Sequence, residues 1–181
     1  TPNKIYKRYI VFLLCIRDKN NDENYNAIII DTLNMETYRY EPKGWSNLSY
    51  LSEKLDKALN QFFTDSSKND IVIEMNKKFN NIFNGAKYID PKKYQSRKGI
   101  NEINDKIDDK IYNLAFSLYF IHLFVYNNRN LTRAGINVEF DQIVKYLEKQ
   151  DKYLLNQNIN GYIKYISKNI PSLINKEKTK K

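Results

Sequence analysis

The sequence holds one cysteine, Cys15, so no disulfide can form within it. The fold must be held by packing, and the thiol fits a reducing intracellular compartment. One histidine and one cysteine are too few for a zinc cluster. There is no glycine-rich phosphate loop and no nucleotide fingerprint. No cofactor and no metal are therefore expected. Five glycines and four prolines exclude collagen-like and low-complexity classes. No leader peptide is read at the start. The first residue is Thr1 rather than Met, as in a piece of a longer protein. The most apolar stretch, Ile111 to Tyr126, is short for a bilayer and carries Asn113, Ser117 and His122, so no membrane partner is expected.

What is present is globular. Hydrophobic residues make up 41% and charged residues 28% of 181 positions, enough for one domain with its own core. At this size folding buries roughly 70% of the surface of the unfolded chain. The domain is read as residues 1–173, with 174–181 a basic tail whose dense run is Lys176 to Lys181. Net charge is +9. Such a balance suits a nucleic-acid or acidic-protein partner, yet Lys and Arg are spread along the chain. The richness in Asn, Lys, Ile and Tyr matches the codon bias of an AT-rich genome, which raises net charge independently of function.

The periodicity predicts an α+β fold. Tyr9 to Ile16 is a short apolar run with β-branched and aromatic members, read as a strand buried on both faces, with Cys15 a buried structural thiol. Asp18 to Asn24 is a polar loop. Tyr25 to Asp31, with three consecutive isoleucines, is a second buried strand. After a turn at 31–35, Glu36 to Glu41 is a third, with polar residues alternating with Tyr38 and Tyr40. Short connections make these three an antiparallel meander. Ser46 can cap a helix with apolar positions Leu48, Leu51, Leu55, Leu59 and Phe62. A second helix is read over 71–83, and Lys87 to Ile89 is a short further strand ended by Pro91. Pro91 to Lys106 is a polar loop. Ile111 to Tyr126 is apolar on all sides of a helix, the signature of a buried central helix. Asp105, Asp108 or Asp109 can cap its start. Two amphipathic helices follow. One carries Phe140, Ile143, Val144 and Leu147; the other carries Ile159, Tyr162, Ile163 and Ile166 and stops before Pro171.

Five short stretches carry a resemblance. Asn24-Tyr25-Asn26-Ala27-Ile28-Ile29-Ile30-Asp31 with Tyr38-Arg39-Tyr40-Glu41-Pro42-Lys43-Gly44 resembles a pattern of His-x-Asn, an aliphatic strand ending in Asp, and an aromatic strand ending Glu-Pro-His-Gly. Ile111-Tyr112-Asn113-Leu114-Ala115-Phe116-Ser117-Leu118-Tyr119-Phe120 resembles Gly-Tyr-Cys-x-Ala-Trp-Ser-Leu-Trp-Tyr. Gly99-Ile100-Asn101 is similar to Gly-x-Gln, and Asn127 to Arg133 to Asn-Pro-x-Leu-Ser-Arg. In that order, over residues 8 to 150, they resemble the protease-like proteins of large DNA viruses. Those belong with the SUMO-specific and adenovirus-type cysteine proteases, and the resemblance implies a papain-like core.

Position by position, the resemblance implies failed chemistry. Asn24 stands at the base position, and an amide takes no proton near neutral pH. Asn113 stands at the nucleophile position without a thiol. Asn101 replaces the oxyanion-hole glutamine. Glu41 alone keeps its type. Cys15, in the first strand, and His122, far down the buried helix and read as a core residue, do not replace them. Trp45 is placed near the cleft. The expectation is a pseudoenzyme that binds a protein partner or serves structurally in a virion or the host cytoplasm. A basic nucleic-acid-binding module and a hydrolase with a non-standard site are the alternative readings. The sequence leaves the oligomeric state open.

Overall fold

The structure is a computed structural model describing residues 8–17, 23–45, 49–64, 73–74, 86–97, 99–100, 109–128 and 139–178, with side chains described except at 49–52, 109–110 and 170–178. Strands β1 (Tyr9–Arg17), β2 (Glu23–Asp31) and β3 (Glu36–Tyr40) form the meander. Tyr9 faces Asp31 and Arg17 faces Glu23 across the first pair; Ala27 faces Tyr40 across the second. Strand β4 (Lys87–Tyr88) lies beside β3. The expected all-antiparallel sheet is corrected here. β4 runs parallel to β3, so the sheet is mixed. Parallel neighbours need a long crossover, and the connection through helix α1 (Ser49–Thr64) supplies it.

Period-two alternation gives β2 two faces with two partners. Ile28 and Ile30 pack with Phe63 and Tyr88, with Leu59 and Phe62 of α1 against them. Ala27 and Ile29 face the larger cluster, built on helices α2 (Asp109–Asn128), α3 (Phe140–Lys149) and α4 (Lys152–Lys178). Here Tyr40 stacks on Phe120 with ring centroids 4.1 Å apart, and Phe140 meets Phe120 edge-on at 4.9 Å. The sheet is thus covered on both sides. Phe140, Ile143, Val144 and Leu147 are all buried, as their spacing predicts.

Several expectations change. β1 is an edge strand, so it is only half-buried, and Leu13 is 39% exposed. Cys15 is exposed for the same reason, since among the described residues its strand has a neighbour on one side only. Asn24 belongs to β2 rather than to the preceding loop, because the β1 pairing extends to Glu23. The central helix is packed nearly all round from Tyr112 to Ser117, but further along only one side meets the core. His122 is exposed, as are Val125 and Tyr126. α4 continues through Pro171 to Lys178. A proline removes one N–H donor from the ladder, and the neighbouring turns carry the helix past it. Ser46, Leu48, most of the 71–83 helix, Asn101, Asp105, Asp108, Arg129 to Arg133 and residues 179–181 lie outside the described residues. Ile73 and Glu74 are helical.

Candidate functional site

The end of β3 is an accounting problem in backbone hydrogen bonds. β4 is two residues long and pairs only with Glu36 and Thr37. Beyond it, Arg39 and Glu41 are buried, with no strand on that side among the described residues, and their backbone groups need partners. The 3-10 turn at Pro91–Lys93 supplies them from the next two side chains. The Arg39 N–H donates to the Tyr94 hydroxyl at 3.0 Å, and that hydroxyl donates to the Arg39 carbonyl at 2.7 Å. The Glu41 N–H donates to Gln95 Oε1 at 3.3 Å, and Gln95 Nε2 donates to the Glu41 carbonyl. Tyr94 and Gln95 thus replace a missing stretch of strand and fix where the Glu41 side chain starts.

The Glu41 carboxylate is 1% exposed. It accepts at Oε2 from Asn24 Nδ2 at 2.9 Å and from Asn26 Nδ2 at 2.6 Å, and at Oε1 from the Lys43 N–H at 3.1 Å. Asn24 and Asn26 lie two apart on β2 and so share a face. Burial pushes the Glu41 carboxyl above the ordinary carboxylate range. The bonds from Asn26, Lys43 and Asn24, with the charge of Arg39, offset that only in part.

Asn113 lies in the second turn of α2. Its Nδ2 donates to Asn24 Oδ1, and one helical turn further Ser117 Oγ donates to the Tyr25 carbonyl at 2.7 Å. Residues four apart share a helix face, so this pair seats α2 on the start of β2. The result is a continuous line of side chains, Asn113 to Asn24 to Glu41, running from helix to strand to strand end. Asn113 is 2% exposed, and its Oδ1 has no hydrogen-bond partner among the described residues.

Beneath this line lies Arg39, fully buried. Its Nη1 donates to Asn26 Oδ1 at 2.7 Å and stands 3.9 Å from Glu41 Oε2. Nε donates to Asp56 Oδ1 at 2.9 Å and Nη2 to Asp56 Oδ2 at 3.1 Å, a two-pronged pair with α1. The Tyr88 hydroxyl donates to the same Asp56 at 2.6 Å. Asn26 is therefore held between a carboxylate and a guanidinium, and its amide orientation is set by both.

Of the four positions read from the sequence, Asn24, Glu41 and Asn113 come together. Asn101 falls outside the described residues, although Gly99 just before it is in place. Gly99 adopts φ +59, and a Cβ there would lie 2.6 Å from the Lys43 carbonyl carbon and within the envelope of Gly44 N. Ile100 N donates to the Pro42 carbonyl at 2.9 Å, which ties this segment to the Pro42–Gly44 turn. Trp45 is on that turn, with Lys92 Nζ 5.1 Å from its ring centre. Cys15 faces Tyr25 across the β1–β2 pair. His122 lies nine residues past Asn113, about 13 Å along the helix. Neither takes part in the line.

Asn26, Arg39, Asp56, Tyr88, Tyr94 and Gln95 were not anticipated as site residues. The available signal was the two-residue spacing of Asn24 with Asn26 and of Arg39 with Glu41 on adjacent strands. In this line the two amides position groups and donate hydrogen bonds, and Glu41 is its one ionisable member. No group of His, Cys, Asp and Glu among the described residues is arranged to hold a metal. No described helix is long and apolar enough to cross a membrane. No protein-family model, curated protein or solved structure matches the chain.

Proposed function

We propose that this chain is a catalytically silent relative of the papain-like cysteine proteases of the SUMO-specific and adenovirus type, kept for binding a protein or for a structural role in a virus particle. The observation that carries the reading is the line Asn113–Asn24–Glu41. It has the order that nucleophile, base and orienting acid take in such a triad. A helix supplies the first position and two adjacent strands supply the others, as the resemblance implies. The acid position alone keeps an ionisable group, and it is hydrogen-bonded to an amide rather than to an imidazole. An amide neither deprotonates a thiol nor carries the proton to a leaving group. The side chains of the site thus preserve relative placement without proton transfer.

The test is incubation with thiol-reactive ubiquitin-like and peptide probes, scored by intact mass. The Cys15→Ser chain is expected to give no adduct, and neither it nor the wild type any cleavage, under conditions that label an active protease to completion. Covalent capture at the cleft, or turnover of a peptide substrate, would sink the proposal. Because Cys15 is exposed, a Cys15→Ser control separates non-specific alkylation from capture at the site.

A further inference from the structure

Lysines are scattered along this chain, but acids are not. Residues 111–128 and 152–176 hold no Asp or Glu, and all 21 acids of the chain lie elsewhere. These stretches make up nearly all of α2 and α4, which pack on each other through Tyr119 and Tyr162 with ring centroids 5.5 Å apart. Two acid-free stretches thus form one surface, and rings run across it. Tyr126 and His122 of α2 lie parallel with centroids 6.3 Å apart, and His122 meets Tyr162 of α4 at 6.1 Å. Tyr162 in turn stacks with Tyr165 at 6.2 Å. The outer rings are open to solvent: His122 is exposed, Tyr126 is 52% exposed and Tyr165 62%. The α4 side is uncovered as well. At Gly161, one turn before Tyr165, no described atom from elsewhere in the fold lies within 4 Å of where a Cβ would stand.

Charge accompanies the rings. Lys168 follows Tyr165 by three residues and Lys164 by four, so both lysines lie close beside that ring on the helix surface. Both are exposed, and neither has an ion-pair partner among the described residues. The acids nearest in the chain are engaged elsewhere. Asp151 accepts from the Tyr153 and Leu154 N–H groups at the start of α4, Glu148 accepts from the Ser96 N–H, and Asp141 pairs with Lys145. The surface therefore suits an anionic partner. A second copy of the chain would set lysines against lysines, and an acidic peptide would leave the rings unused. Single strands use both features, with bases stacked on rings and phosphates paired with lysine. The bases of a duplex are already stacked on each other and gain nothing from the rings.

We propose that this face of α2 and α4 binds single-stranded nucleic acid, with bases stacked on His122, Tyr126 and Tyr165 and backbone phosphates paired with Lys164 and Lys168. His122 follows Asn113 by nine residues, two and a half turns, so it lies across α2 from the side seated on β2. The surface is separate from the Asn113–Asn24–Glu41 line and does not depend on the reading given to that line.

The test is fluorescence anisotropy of the full chain with labelled oligothymidylate and oligouridylate about 15 nucleotides long. An abasic strand and a duplex of the same length, and polyglutamate, serve as competitors. Saturable binding is expected at about 50 mM salt, weakening as salt rises, and at least about tenfold tighter than for the abasic strand. Tyr165→Ala should weaken it at least about fivefold. Replacing Lys164 and Lys168 together by Gln should reduce the slope of log affinity against log salt by about 1.4. Tyr153→Ala is the control, an exposed tyrosine a third of a turn round α4 from Tyr165, and should change nothing. All these side chains are exposed, so the variants should keep the wild-type circular dichroism and unfolding transition. Tighter binding of one oligomer than the other assigns the sugar. The proposal is overturned by no saturable binding at about 50 mM salt, or by an abasic strand, duplex or polyglutamate that competes as well as the single strand. Equal effects of Tyr165→Ala and Tyr153→Ala would overturn it too.

Discussion

At Glu41 a carboxylate is enclosed by donors, and burial still costs it more than those donors return. Its pKa is raised in the folded state, so the folded chain holds this proton more tightly than the unfolded chain. Wherever the folded state binds more protons, stability falls as pH rises. The contribution of Glu41 is fully present below the ordinary carboxylate range and is lost as pH rises through the raised value. Glu41→Gln removes that dependence. It also turns an amide N–H₂ toward Asn24, Asn26 or the Lys43 N–H, which costs about 1–3 kcal/mol. Urea unfolding of both proteins across the acid range should therefore show the wild type pulling ahead of the variant as pH falls. A gap that stays constant, or narrows on acidification, contradicts the raised carboxyl. At this scale the sequence was legible for Asn24, Glu41 and Asn113, three separately named positions whose side chains the structure joins in one hydrogen-bonded line. Arg39 was not legible. In Tyr38-Arg39-Tyr40 it reads as the polar face of an alternating strand, and only the cover of α1 with Asp56 makes that face interior.

Helix α1 is joined to the sheet by Asp56, which takes bonds from both Arg39 and Tyr88, as well as by the apolar cluster around Ile28 and Ile30. A buried charge that loses its partner is left uncompensated, which typically costs about 3–5 kcal/mol. Arg39→Leu should lower unfolding stability by less than that amount, since the Asn26 Oδ1 loses its donor while Asp56, 23% exposed, keeps the Tyr88 hydroxyl. Replacing both Arg39 and Asp56 by leucine should recover part of the loss. Chemical denaturation of the two single variants and the double closes the cycle; strictly additive losses would mean that the pair is not coupled. The elements themselves were legible from apolar spacing, and α3 was so down to its four buried residues. Edge position was not. β1 has the composition of a central strand, and nothing in Tyr9 to Ile16 records that only one neighbour flanks it. The short strand at Lys87 was legible, but its parallel direction was missed for a related reason. Two residues carry no pairing direction, which is set by the route of the connection through α1.

Across the whole molecule, the order of elements is what brings distant positions into one place. Asn113 is 89 residues from Asn24 in the chain, yet the two side chains touch. The sheet turns Asn24 toward the end of the helix, and Ser117 locks the helix to the same strand. Asn24, Glu41 and Asn113 could be named from the sequence because each lies within a strand or helix, or at its end, that apolar spacing makes recognisable. That spacing could not reveal Tyr94 and Gln95, whose role is to finish a truncated sheet rather than to do chemistry.

The central claim is that positions 113, 24 and 41 retain triad placement with inert residues. Installing the missing groups tests it most directly. In a Cys15→Ser background, Asn113→Cys alone and Asn113→Cys with Asn24→His can be titrated by NMR, using a ¹³C label on the new thiol. If placement is retained, the imidazole beside Glu41 stabilises the thiolate. The thiol then ionises well below its free value of about 8.5 in the double variant, and at or above that value in the single one. A thiol that titrates alike in both proteins would contradict the account.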